Sequence, residues 1–129
     1  IGVDHNRVSL LTSVMDKVWG KNICGHDIFL NVTGGIKVDE PAVDLGVVSA
    51  ILSSFLDRPI GPQTVVLGEV GLTGEIRRVS QIEERVREAA RMGFTRCLLP
   101  QTRKGNPSAS HQIKLIPIGN LRQLMEHLF

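Results

Sequence analysis

The residues whose pairing would matter most for chemistry are serines and lysines. A hydroxyl is a poor nucleophile until a neutral amine or imidazole within hydrogen-bond reach takes its proton. Ser49, Ser53 and Ser54 fall together on one apolar stretch of helical spacing, and Lys37 precedes it in Gly34-Gly35-Ile36-Lys37. Serines within such a stripe read as small packing or surface residues rather than as nucleophiles. Cys24 and Cys97 belong to no C-x-x-C spacing and are expected to be two buried thiols of a cytosolic protein. His5, His26, His111 and His127 are scattered, without metal-ligand spacing, so no metal site is expected. No G-x-x-x-x-G-K-[ST] phosphate loop occurs, which excludes an ATPase site of the P-loop kind in this chain.

Charge offers a second kind of chemistry. Between Arg77 and Lys104 there are eight basic residues (Arg77, Arg78, Arg85, Arg87, Arg91, Arg96, Arg103, Lys104) against the acids Glu83, Glu84 and Glu88. That segment carries +5 within a chain of net charge +2. Such asymmetry suits a polyanion, while a solvated helix face with internal ion pairs, Glu83 with Arg87 for instance, explains part of it equally well. Lys37, Arg58, Arg77, Arg78, Arg87, Arg91, Arg103 and Lys104 are the candidate contacts to the phosphates of such a polyanion. With no Tyr, one Trp and four Phe, the chain has little to offer as a base-stacking platform, so contacts to a phosphate backbone are favoured over base stacking.

The elements that must position these groups are legible from periodicity. Val8, Leu11, Val14, Met15 and Val18 recur at helical spacing, and Gly20 closes the run. His26 to Val32 reads as a strand, Thr33-Gly34-Gly35 breaks it, and Ile36 to Val38 resumes it. Pro41 suits the first position of a second, largely buried helix carrying Val43, Val47, Ile51 and Phe55, which Asp57-Arg58-Pro59 ends. Thr64 to Leu67 reads as a buried strand, and Glu75 to Val79 as the hairpin partner of the glycine-punctuated stretch after it. Arg77 and Arg78 would then face opposite sides of the sheet.

Ser80 with Glu83 three residues on matches a capping box for a third helix, with Ile82, Val86, Ala89 and Ala90 inward and Gly93 as its stop. Arg96 to Leu99 and Lys114 to Ile118 read as strands, joined by a polar loop from Gln101 to His111 that is expected to be mobile. Asn120 opens a last helix bearing Leu121, Leu124 and Leu128. The order α-β-(β)-α-β-β-α-β-β-α makes a mixed α/β domain, and hairpin-like pairs argue against a pure doubly wound sheet. At 129 residues one domain, 1–129, is expected, with no membrane-spanning run and no signal-peptide pattern. The opening Ile1-Gly2-Val3-Asp4 lacks a methionine and suggests a piece of a longer protein.

Three stretches together resemble the Lon proteolytic domain, and within that superfamily the RadA (Sms) branch. The first is Asp4-His5-Asn6-Arg7 leading into Leu10-Leu11, similar to the D-x-N-R signature of that branch. The second is Asn31-Val32-Thr33-Gly34-Gly35-Ile36-Lys37, followed by Glu40-Pro41-Ala42-Val43-Asp44-Leu45. The third, Leu67-Gly68-Glu69-Val70-Gly71-Leu72-Thr73-Gly74-Glu75-Ile76-Arg77, is similar to the T-G-E-x-x-L-x-G-x-[VI] strand pair of Lon.

The resemblance implies a Lon-like fold, and it also locates where a serine–lysine dyad would lie. The serine of the D-G-P-S-A-G motif corresponds to Ala42, and the lysine of G-G-x-K corresponds to Glu83 in Ser80-Gln81-Ile82-Glu83. Lys37 occurs before the nucleophile segment, in the wrong order for that dyad. No catalytic residue is therefore expected, and a displaced serine–lysine peptidase is the alternative. The resemblance further implies a cytoplasmic DNA-recombination ATPase working as a homohexameric ring. Its ATP, magnesium and zinc would belong to an upstream RecA-like domain and zinc finger, with no cofactor in this domain. The domain itself would contact duplex or branched DNA and help build the ring for branch migration, or serve as a purely oligomerising scaffold. Arg7 would either pair with a neighbouring subunit's acid or cap its own helix.

Overall fold

The computed structural model describes residues 3–26, 28, 40–101 and 113–129. Lys37, Arg103, Lys104, nearly all of the expected strands before Pro41, and nearly all of the polar loop from Gln101 to His111 lie outside the described residues.

Helix α1, His5–Trp19, starts where the Asp4 carboxylate accepts the Asn6 N–H, and stops where Gly20 takes a left-handed conformation that costs glycine nothing. Pro41–Val43 forms one 3-10 turn that leads into α2, Asp44–Leu56, so Pro41 opens this element as its missing N–H suits. Asp57 closes α2 in the left-handed region. Gln63, in the left-handed region at φ +62°, then leads into β1, Thr64–Val66. Helix α3 spans Ile82–Arg91, β4 spans Arg96–Pro100, β5 spans Lys114–Ile118, and α4 spans Leu121–Leu128. Asn120 caps α4 through its side chain, which accepts the Gln123 N–H at 2.9 Å.

The hairpin forms, but shorter than the sequence suggests: β2, Glu69–Val70, pairs antiparallel with β3, Ile76–Arg77. β1 pairs in parallel with β4, and β4 in parallel with β5, giving the order β1-β4-β5. The β4–β5 pair is thus no hairpin, and the domain is mixed α/β with a parallel sheet and a separate small antiparallel one.

Alternation along these strands divides the core. Leu98, Ile116, Ile118 and Val66 face α1, α2 and α4, packing with Leu11, Met15, Leu45, Val48, Leu52, Leu121 and Leu124. Cys97, Leu99, Val65 and Leu115 face the other way, onto Val86 and Ala89 of α3. The period-2 geometry of a strand buried on both faces therefore produces three layers among the described residues, with α3 on one side. Of the two cysteines, Cys97 is buried, and burial pushes its thiol up to about 11. Cys24 is exposed, contrary to expectation, because it lies on the short Ile23–Gly25 turn after α1.

The capping box at Ser80 does not form. Gln81 precedes α3 in the left-handed region without a side-chain cap. The Ser80 carbonyl accepts the Arg85 Nε at 2.8 Å, while Nη2 of the same arginine reaches Glu40. A tertiary tie to the start of α2 has displaced the local cap. Glu83 and Glu84 still lie in the first turn and Arg91 in the last, where they suit the helix dipole.

Candidate functional site

The segment that would hold a Lon-type nucleophile folds as the 3-10 turn before α2. Ala42 is buried there, 3% exposed, and its methyl supplies no reactive atom. Its carbonyl accepts the Gly68 N–H at 3.0 Å, and the Gly68 carbonyl accepts the Leu45 N–H at 3.1 Å, so the turn is stitched to the strand connection beside it. Gly68 sits at φ +158° with its Cα against Ile76 and Leu45, too close for a side chain.

Two arginine–carboxylate pairs occupy the surroundings. Asp44, 2% exposed, accepts Arg7 through Nε at 2.9 Å and through Nη2, and also the Val70 N–H at 3.0 Å. Arg7 additionally reaches the Val70 carbonyl at 3.4 Å. This bidentate fork raises the Arg7 guanidinium above its ordinary pKa, chiefly through the hydrogen bonds to Asp44. Arg7 thus neither caps its own helix nor stands without a partner in its own chain. It links α1 to α2 and β2. Glu40 makes the second pair: its Oε1 accepts Arg85 Nη2 at 2.9 Å and the Ala42 N–H at 3.4 Å.

These groups line a recess of about 280 Å³ that also includes Asp4, Pro41 and Glu69. The recess is rich in carboxylates, yet Asp44 and Glu40 are already committed to arginines and backbone donors. It does not fit a metal ion, and among the described residues no three of His, Cys, Asp and Glu converge as ligands. Glu83, which the resemblance to Lon would align with the lysine, is exposed on the first turn of α3.

The candidate DNA contacts spread over several surfaces. Arg77 and Arg78 are both exposed rather than split between two faces, because β3 ends at Arg77. Arg77 lies 3.3 Å from Glu75, and Arg91 lies 3.1 Å from Glu88 one turn back along α3, while Glu83 and Arg87 make no pair. Arg78 and Arg87 are exposed and have no ion pair among the described residues. Arg58 lies over the Phe129 ring, 4.5 Å from its centroid.

Sequence reasoning missed Arg85 as the partner of Glu40, and it missed a cationic cleft formed by Lys17 and Arg122. Both depend on residues far apart in the chain, and only the bare charge of each residue was available beforehand. Among the described residues no helix is long and apolar enough to cross a membrane.

Comparison with known proteins places the fold in context. DNA repair protein RadA of Halalkalibacterium halodurans is 45% identical over 97% of this chain, which spans 27% of that protein. The Bacillus subtilis protein of the same name is 47% identical over 96% of the chain and 27% of the relative. That of Streptococcus pneumoniae is 41% identical over 99% of the chain and 30% of the relative. The chain therefore spans less than a third of the length of these relatives. Residues 7–103 match the family model described as subunit ChlI of Mg-chelatase. The chain belongs to that family, and the resemblance to the RadA branch carried by its three motifs holds along nearly its whole length.

Proposed function

We propose that this chain is a non-proteolytic Lon-like domain of a cytoplasmic DNA repair and recombination protein of the RadA type. In this reading it binds the phosphate backbone of duplex or branched DNA and helps to close a homohexameric ring for branch migration. ATP hydrolysis, with its magnesium, and a zinc finger belong to other domains of the longer protein. The observation that carries the non-proteolytic part is the buried methyl of Ala42 at the nucleophile position. Around it the carboxylates of Asp44 and Glu40 are held by Arg7 and Arg85. A serine–lysine mechanism needs a hydroxyl and an unpaired amine converging, and here that place is filled by ion pairs.

Support for the DNA role comes from identity to proteins named for DNA repair and from exposed arginines outside that recess, Arg77, Arg78, Arg87 and Arg91 among them. Backbone recognition by such cations is independent of sequence and strongly salt-dependent. The test has two arms. A fluorogenic peptide or casein assay is expected to give no turnover, and turnover abolished by replacing Ser49, Ser53 or Ser54 with Ala would overturn the non-proteolytic reading. Duplex affinity at two salt concentrations is expected to fall with salt, and Arg77→Ala/Arg78→Ala is expected to weaken it several-fold. Absent or salt-insensitive binding by the ring-forming protein would leave a purely oligomerising scaffold.

A further inference from the structure

We propose that the cleft between the end of α1 and the start of α4 is a phosphate-binding site, built around Lys17 and Arg122. Lys17 lies in the last turn of α1 and Arg122 in the first turn of α4, 105 residues later, and both line a cleft of about 330 Å³. Thr73, Gly74 and Asn120 complete its polar lining. Among the described residues no carboxylate and no aromatic ring lines it.

Cations without an ion pair also occur singly on this chain, Arg78 and Arg87 among them, but here two of them share one cleft. Most other arginines with described partners (Arg7, Arg77, Arg85 and Arg91) meet an acid in the folded chain. Two acids adjoin the lining in sequence and both are engaged elsewhere: Asp16 accepts the Ile23 and Cys24 N–H groups, and the Glu75 carboxylate folds over Gly71 and accepts the Thr73 N–H at 3.0 Å and the Thr73 hydroxyl at 2.7 Å, with Arg77 at 3.3 Å. Lys17 and Arg122 thus have no counter-charge among the described residues.

Arg122 is also pre-positioned. Its Nη2 donates to the Val18 carbonyl at 3.2 Å, which spans the end of α1 and uses one of five guanidinium N–H donors. The rest remain for a ligand, and the tie reduces the conformational entropy lost on binding. The backbone holds the cleft in shape. The Leu121 N–H donates to the Gly74 carbonyl at 2.9 Å, Glu75 bridges Asn120, and Gly74 approaches Val18 too closely to carry a side chain. Two cations in a fixed polar cleft without a stacking surface recognise the tetrahedral, multiply charged phosphate group rather than a base. The group would come from a nucleic-acid backbone or from free phosphate. The site stands on the geometry of the cleft, and its use by duplex DNA rests on the proposed DNA role.

The experiment combines an NMR titration of the chain with inorganic phosphate and duplex binding followed by fluorescence anisotropy at several salt concentrations. The variants are Lys17→Gln, which replaces an exposed side chain without an ion partner, and Lys17→Gln/Arg122→Gln, whose folding is checked by its melting temperature. Phosphate is expected to move the Gly74, Asn120 and Arg122 amides in the wild type and not in the double variant. If the duplex uses the site, each lost cation lowers the slope of log K against log salt by about 0.9. Phosphate shifts with unchanged duplex affinity, or with a wild type that binds no duplex, support the site for free phosphate and count against the DNA role alone. Absence of localised shifts at millimolar phosphate, together with an unchanged salt slope in Lys17→Gln, overturns the proposal.

Discussion

Two recesses at opposite chemical extremes lie on this domain. The one at the start of α2 gathers Asp4, Glu40, Asp44 and Glu69 and satisfies Asp44 and Glu40 internally, with Arg7 and Arg85. The one between α1 and α4 gathers Lys17 and Arg122 and, among the described residues, contains no acid. A recess whose charges are neutralised by its own chain holds the fold together. A recess whose charges are left open has affinity to spend on a ligand. The place where a Lon-type dyad would lie is of the first kind, which is why its residues read as structural.

Asp44→Ala should break this comparison most severely. It leaves the partly buried Arg7 guanidinium and the Val70 N–H without their acceptor, and a loss of about 3 kcal/mol is expected, read from the urea midpoint at unchanged m-value. A loss below about 1 kcal/mol would mean that the pair is effectively solvated and that the acid-rich recess is not structural.

Gly74→Ala probes the other recess. Gly74 holds φ at +85° with Val18 2.8 Å from where a Cβ would stand, so a cost of about 1–2 kcal/mol is expected from backbone strain before any clash. A neutral effect in thermal unfolding would show that the cleft floor yields easily and is not pre-shaped.

The smallest effect concerns Glu75, which borders that cleft. The Thr73 hydroxyl, then the Glu75 and Thr73 backbone N–H groups and Arg77, hold its carboxyl at about 2. Because the folded value lies below the ordinary 4.5, its stabilisation is complete above that pH and is lost as pH falls through about 2. An NMR titration of the Glu75 side chain should show that low midpoint in the wild type and a midpoint nearer 4.5 in Thr73→Ala. Coincident midpoints would dissolve the hydrogen-bonded turn that keeps this acid out of the cleft.

Local signals carried much of the architecture. Helical periodicity located α1, α2, α3 and α4, Gly20 and Gly93 marked their stops, and Asn120 announced a cap that the structure contains. Two local readings fell short. Ser80 and Glu83 matched a capping box, but Arg85 uses the Ser80 carbonyl on its way to Glu40. Glu75 to Val79 matched a hairpin strand, but only Ile76–Arg77 pair, because the chain turns away to build α3. In the first case a contact distant in sequence outweighed a local cap worth about 1 kcal/mol.

By itself, the sequence determined the helices, the β-branched strands that become a doubly buried sheet, and the alanine and glutamate, Ala42 and Glu83, at the positions that the resemblance to Lon would give to a dyad. Those follow from residue type and from periods of 2 and 3.6, which are properties of neighbouring residues. The tertiary structure decided which charges cancel. Arg7 meets Asp44 across 37 residues and Arg85 meets Glu40 across 45, while Lys17 and Arg122 line one cleft with no ion pair among the described residues. Charge is written in the sequence, but its pairing is set by packing, since Coulomb attraction between side chains falls away over a few ångströms in water.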